Sequence, residues 1–257
     1  MPREPDSMAL PAWNPRWAFF LDVDGTLVEI AAHPDLARVT PRLIELLRRL
    51  PAAVGGAMAL VSGRSIASLD AMLAPLELPL AGLHGLERRD AAGRVHHAMA
   101  DEERLHGAKN ELWAFAENHP GLLVEDKGPA VAVHFRGAPS LETAVRDRLA
   151  DVVKRLGAGW CLQRGKKVLE IKPTGRNKGT AIEEFMREAP FAGRVPVFIG
   201  DDVTDEAGFE AVNRLGGHSI GVGVDGRSHA VWHVDDVGDV LDWIASLLDA
   251  RARAAAG

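Results

Sequence analysis

The sequence holds a single cysteine, Cys161, in 257 residues. An intramolecular disulfide is therefore excluded, and so is a zinc cluster built on several thiolates. Cys161 sits in "GWCLQ", which reads as a strand, so a structural thiol is expected there and not a nucleophile. No apolar run approaches the roughly 20 residues of a membrane-spanning helix. The opening "MPREPDSMALPAWNPRW" carries prolines and charges but no signal-peptide core. Residues 1–16 read as a flexible arm, and the chain reads as cytoplasmic with no membrane partner. An excess of positive charge is also missing. The formal net charge of -6 argues against a nucleic-acid partner, which favours a basic face. No repeat recurs at a fixed period, and the low-complexity Ala/Arg tail is expected to fray.

What is present suits a packed core, with 47% hydrophobic and 26% charged residues. "AFFLD" (18–22) is a short apolar run ending at a turn, the form of a buried parallel strand. "TPRLIELLRRL" (40–50) has helical spacing, with Thr40 as cap and Pro41 in the first turn. A strand follows in "GAMALVSGR" (56–64), a helix in "SIASLDAML" (65–73) and a third strand in "LPLAGLHG" (78–85). That alternation predicts a parallel sheet with helices on both faces. The middle reads differently: a helix over 101–119, strands in "LLVEDKG" and "AVAVHFRG", a helix over 140–156 capped by Ser140, and a hairpin in "WCLQRGKKVLEIKP" around Gly165-Lys166. Alternation then resumes and ends in a helix over 239–254. The expected fold is an α/β, Rossmann-like core of residues 17–98 and 173–257, with an inserted α/β cap of residues 99–172.

The chemistry-bearing residues gather in four stretches at predicted strand ends or at a helix start: "DVDGT" (22–26), "VSGR" (61–64), "NKG" (177–179) and "GDDVTDE" (200–206). Open α/β sheets bind ligands in the crevice at those ends. The carboxylates of Asp22, Asp24, Asp201, Asp202 and Asp205 form a hard-oxygen set suited to Mg²⁺, and that cation would offset their mutual repulsion. Lys178 adds a positive charge, and Ser62 with the amides of Gly63 and Arg64 adds donors. An anion there would meet metal, lysine and donors together, as a phosphate requires. A neighbouring carboxylate can attack phosphorus. Each piece alone also has a plain reading as a turn or a solvated side chain; their conjunction is what points to chemistry. An EF-hand does not fit, since Gly25 comes three residues after Asp22 and no acid falls at the twelfth position.

These four stretches resemble the motifs of the haloacid dehalogenase superfamily of phosphotransferases. "GDDVTDE", "VLEIKP" before "GRNKG", and "VEDKG…AVAVHFR" resemble its trehalose-6-phosphate phosphatase branch, over about Trp17 to Trp243. The resemblance implies an Mg²⁺-dependent phosphomonoesterase acting on a sugar phosphate, trehalose 6-phosphate, with trehalose-phosphate synthase as an implied partner. It implies Asp22 as nucleophile and Asp24 as general acid/base, with the Asp24 carbonyl on the metal. Ser62 and Lys178 would bind phosphate, Asp201 would ligate the metal, and Asp202 and Asp205 would support it. In the cap, Glu125, Lys127 and Glu170 match the residues that bind the sugar hydroxyls. Glu125 and Lys127 stand at i and i+2 on a predicted strand and so share one face, but a solvated sheet face shows the same alternation, and the pattern leaves both readings open. His134 and Arg136 are weaker candidates, and His84 is expected near the core–cap junction. Another sugar phosphate, or a catalytically silent phosphosugar-binding module, remains an alternative.

Overall fold

The computed structural model describes residues 10–30, 37–98, 102–224 and 226–256. In chain order its first half holds β1 (Trp17–Leu21), α1 (Pro41–Ala53), β2 (Met58–Val61), α2 (Ile66–Leu73), β3 (Leu80–Gly82), β4 (Glu87–Arg89), β5 (Val95–His97) and α3 (Glu102–Glu117). Next come β6 (Leu123–Asp126), β7 (Val131–His134), α4 (Glu142–Leu156), β8 (Trp160–Gly165), β9 (Val168–Pro173) and α5 (Lys178–Phe185). The chain closes with β10 (Val195–Gly200), α6 (Glu206–Arg214), β11 (His218–Val222), β12 (Trp232–Val234) and α7 (Val237–Ala256).

Two sheets result. The larger has 8 strands in the order β12-β11-β10-β1-β2-β3-β4-β5. It is parallel from β12 to β3 and antiparallel at β4 and β5. Every residue of β1 is buried, since a central strand covered on both faces needs apolar side chains on both. Leu43, Leu46, Leu47 and Leu50 are buried from one stripe of α1, each contributing about 1.5–3 kcal/mol of burial. The smaller sheet is antiparallel, with 4 strands in the order β6-β7-β9-β8. It builds its own apolar cluster with α3 and α4, among them Leu105, Leu112, Val145, Leu149, Val131 and Ile171.

Several local expectations change. β4 and β5 extend the first half beyond its three expected strands, and β12 extends the second; at 3 residues each they are too short to show alternation. Ser140 does not cap α4, because it lies within a 3-10 turn over Pro139–Leu141 that precedes the helix. The Ala/Arg tail is helical, as α7 continues to Ala256. Residues 1–9 of the expected arm lie outside the described residues, while Leu10 and Trp13 pack on the core and Trp13 meets Trp17 edge-on. Cys161 is half-buried, its Sγ 3.9 Å from the Pro173 carbonyl oxygen. Among the described residues no helix is long and apolar enough to cross a membrane.

Candidate active site

The strand order reverses at β1: β2 lies on one side and β10 on the other. At such a point the loops leaving the strands' carboxyl ends separate and open a crevice. The chain leaves β1 into Asp22, β2 into Ser62 and β10 into Asp201. The ladders run slightly past the strands, with the Asp22 amide donating to the Ile199 carbonyl at 3.0 Å and the Ser62 amide to that of Ala81 at 2.8 Å. Both side chains are thereby held at the lip of the sheet. Gly25 turns the first loop with φ +90, and a Cβ there would come within 2.1 Å of Asp201 Oδ2. Only glycine lets the two acidic loops approach this closely. Across the crevice, Asn177 caps α5 by accepting from the Thr180 amide at 2.9 Å, which sets Lys178 at the first helical position.

Lys178 is buried between two carboxylates, with Nζ 2.7 Å from Asp22 Oδ1 and 2.6 Å from Asp205 Oδ1. Its own burial would depress the ammonium, but Asp205 and Asp22 outweigh that and hold it above the ordinary lysine value. Burial likewise pushes the Asp22 carboxyl well up; Lys178 pulls it back, and Asp205 and Asp201 push it further. Asp201 is pushed up to about 7, first by burial and then by the charge of Asp205. Ligand oxygens of Asp22, Asp201 and Asp205 lie within 4.8 Å of one another. One ammonium among them leaves net negative charge in a place where charge is costly. Asp201 Oδ1 is also buried without a hydrogen-bond partner. The site therefore fits a hard cation.

The other acids are engaged differently. Asp205 Oδ2 accepts from the amides of Asp201 and Asp202 at 3.1 and 3.0 Å, so with Oδ1 on Lys178 this carboxylate holds the loop together. Asp202 Oδ1 accepts from the Val203 amide at 2.7 Å and caps the 3-10 turn over Val203–Asp205. Both Asp24 oxygens accept from Arg64, Nε and Nη2, at 2.6 Å each. Such a fork fixes the carboxylate's plane yet leaves a further lone pair on each oxygen. Ser62 is buried, and its Oγ accepts from the Arg64 amide at 3.2 Å.

Asp22, Asp24, Ser62, Lys178, Asp201 and Asp202 line the floor of a cleft of about 910 Å³ whose roof is the small sheet, and Asp205 is buried outside its wall. That volume is in the range of small-molecule sites, ~300–1,000 Å³. Of the residues expected from sequence, the cleft gathers Asp22, Asp24, Ser62, Gly63, Arg64, Glu125, Lys127, Lys178, Asp201 and Asp202. Glu125 Oε2 is 2.8 Å from His134 Nε2, and that bond, then the charges of Lys127 and His134, lower the glutamate against its partial burial. Lys127 lies just past the end of β6, donating to Glu170 Oε2 at 2.8 Å and reaching the Gly63 carbonyl at 3.4 Å. Glu170 is buried behind Lys127 and is not part of the cleft wall. Lys172 turns to the Arg176 carbonyl at 2.5 Å and ties the end of β9 to the loop before α5.

Residues with little or no sequence signal also reach the cleft. Arg136 and His134 line it beside Glu125, and Lys166 and Thr204 line it near Asp202. Lys166 tips the β8–β9 hairpin, and no local pattern says which end of a hairpin faces a site. Thr26 Oγ1 lies 3.4 Å from Asp22 Oδ2.

A family model described as trehalose-phosphatase matches residues 20–237. "Trehalose-6-phosphate phosphatase" of Escherichia coli (strain K12) is 44% identical over 240 residues, covering 93% of this chain and 90% of that protein. "Probable trehalose-phosphate phosphatase" of Sinorhizobium fredii is 49% identical over 209 residues, covering 80% and 78%. Among solved structures, the C-terminal domain of C. albicans trehalose-6-phosphate phosphatase superposes with a TM-score of 0.78 at 22% identity, covering 93% of this chain and 98% of that one, a likeness of fold.

Proposed function

Because the chain belongs to the trehalose-phosphatase family, we propose that it hydrolyses trehalose 6-phosphate to trehalose and phosphate. The observation that carries this reading is the meeting of Asp22, Asp201 and Ser62 at adjoining strand ends with Lys178 at the start of α5, under a polar roof. Asp22 attacks phosphorus, a bond forms between its carboxylate oxygen and phosphorus, and the bond from phosphorus to the sugar oxygen breaks. Asp24 gives a proton to that departing oxygen. It then takes one from the water that hydrolyses the aspartyl phosphate. Arg64 holds Asp24 in place for both transfers. Lys178 and Ser62 hold the phosphate oxygens. Asp22, Asp201 and the Asp24 carbonyl would hold Mg²⁺, with Asp205 and Asp202 shaping the loop. When bound, the cation supplies charge neutralisation to the carboxylates and to the phosphoryl group in transfer.

The partition into a core of residues 17–98 and 173–257 and a cap of residues 99–172 belongs to the same reading, supported by the two separate apolar clusters. Glu125 and Lys127 read the sugar from the cap, and Glu170 acts by holding Lys127. A synthase upstream is implied as supplier of the ester. The same reading takes the enzyme to be cytosolic, in keeping with a charged ester that a bilayer does not pass.

The test is phosphate release from a panel of sugar phosphates, with and without chelator. Turnover of trehalose 6-phosphate above that of sucrose phosphate and mannosyl phosphates, lost on chelation and restored by Mg²⁺, is the expected result. Preference for another sugar would reassign the substrate, and full activity in metal-free solution would remove the metal. Glu125→Gln is expected to lose about tenfold more in kcat/KM on trehalose 6-phosphate than on p-nitrophenyl phosphate, which offers no hydroxyls. An equal loss on the two would return this strand to the solvated-face reading.

A further inference from the structure

Buried polar atoms without hydrogen-bond partners are rare, and each asks for an explanation. Among the described residues, two lie on neighbouring side chains where the small sheet meets the phosphate loop: Nδ1 of His84 and Oε1 of Glu170. Nε2 of His84 and Oε2 of Glu170 are 4.0 Å apart, too far for a hydrogen bond. His84 lines the cleft, and with Nδ1 enclosed, Nε2 is the nitrogen it presents.

The backbone goes to some cost to place this ring. Leu83 and His84 have φ of 50 and 55, the left-handed region that disfavours a residue with a Cβ. The Leu83 amide donates to the Arg64 carbonyl and the His84 amide to that of Ser62, each at 2.9 Å, so the strained turn is stitched to the "VSGR" loop. A Cβ on Gly63 would come within 2.7 Å of the ring's Cε1 and 2.8 Å of Nε2. Residue 63 therefore leaves its side-chain space to the imidazole. Burial, and then the charges of Lys178, Lys127 and Lys172, hold His84 well below the ordinary histidine value. A neutral ring carries one N–H, and the Glu170 carboxylate facing Nε2 favours the proton there. The result is a neutral donor on the cleft wall, backed by the buried Glu170 carboxylate.

We propose that His84 is a specificity-determining residue of the sugar subsite: Nε2–H, oriented by the Glu170 carboxylate behind it, donates to a sugar hydroxyl oxygen in the cleft. The proposal rests on the reading of the cleft as a sugar-phosphate site. The test compares His84→Gln with His84→Met, which share length and backbone demands and differ in the terminal amide. With trehalose 6-phosphate, H84Q is expected to stay within about threefold of the unsubstituted protein, while H84M loses about tenfold or more in kcat/KM, mainly through KM. Calorimetry should show trehalose binding weakened by a similar factor in H84M alone, with inorganic phosphate bound equally by both. On p-nitrophenyl phosphate the two variants should match each other. If H84M does not fold, His84→Ala supplies the apolar arm. Equal behaviour of the two arms on the sugar ester, or an equal gap on p-nitrophenyl phosphate, overturns the proposal. If another sugar phosphate proves the better substrate, the comparison is read on that ester and its sugar, and only the choice of substrate falls. If the unsubstituted protein binds no sugar at all, both readings fall.

Discussion

Asp22→Asn is expected to lower kcat by roughly 10⁴-fold or more, the scale on which loss of a nucleophile acts. The amide is nearly isosteric but does not attack phosphorus, so a phosphate ester should still bind. The structure adds a stability signature. Burial raises the Asp22 carboxyl well above its ordinary value of 3.8, so its ionised form is disfavoured in the folded chain. Stability tied to that group is present below the ordinary carboxylate value and is lost as pH rises through the raised one. Removing the ionisable group removes that loss. Metal-free Asp22→Asn should therefore melt no lower than the unsubstituted protein at pH 8 while being inactive, a trade of stability for activity characteristic of reactive groups. Wild-type kcat in the variant would end the nucleophile assignment. A lower melting temperature at pH 8 would show that Asp22 serves chiefly to anchor Lys178.

The second large effect is on Lys178. The residue is 2% exposed, and its ammonium bridges Asp22 and Asp205. Lys178→Met keeps most of the volume but leaves two buried carboxylates without their cation, which typically costs about 3–5 kcal/mol. The loss depends on pH. Lys178 lowers both acids, so without it both are raised further. The destabilisation should be smallest below the ordinary carboxylate value and grow as pH rises through the raised values. Urea unfolding of the metal-free proteins at pH 5 and pH 8 measures this. A loss of equal size at both would mean that Lys178 acts by packing and not by charge. Phosphate release should also fall, because the ammonium that orients the Asp22 carboxylate is gone.

Much of this site was legible in the residues because each motif obeys a local rule. "AFFLD" ends a buried strand in a carboxylate, and it does so in β1. "NKG" opens α5 with a cap that needs only Asn177 and Thr180. The spacing of such motifs along a βα alternation sets which strand ends carry them, and the parallel order then brings those ends together. Less legible were the short strands β4, β5 and β12, whose length carries no period, and the displaced cap of α4, where Pro139 starts a 3-10 turn first.

The division between the two levels of information follows range. Sequence by itself determined the α/β class, the acidic and basic motifs and their strand ends, because these depend on periodicity and on neighbours a few positions apart. The tertiary structure alone decided that Asp205 spends its oxygens on Lys178 and two amides while Asp201 keeps one free. It alone decided that Arg64 grips Asp24, that Glu170 stands behind Lys127, and that His84 occupies the space Gly63 leaves open. Apart from the two amides on Asp205's own loop, each of these pairings joins segments at least 20 residues apart. Which side chains meet across such a distance is set by packing, burial and the mutual charge of groups that no local pattern relates.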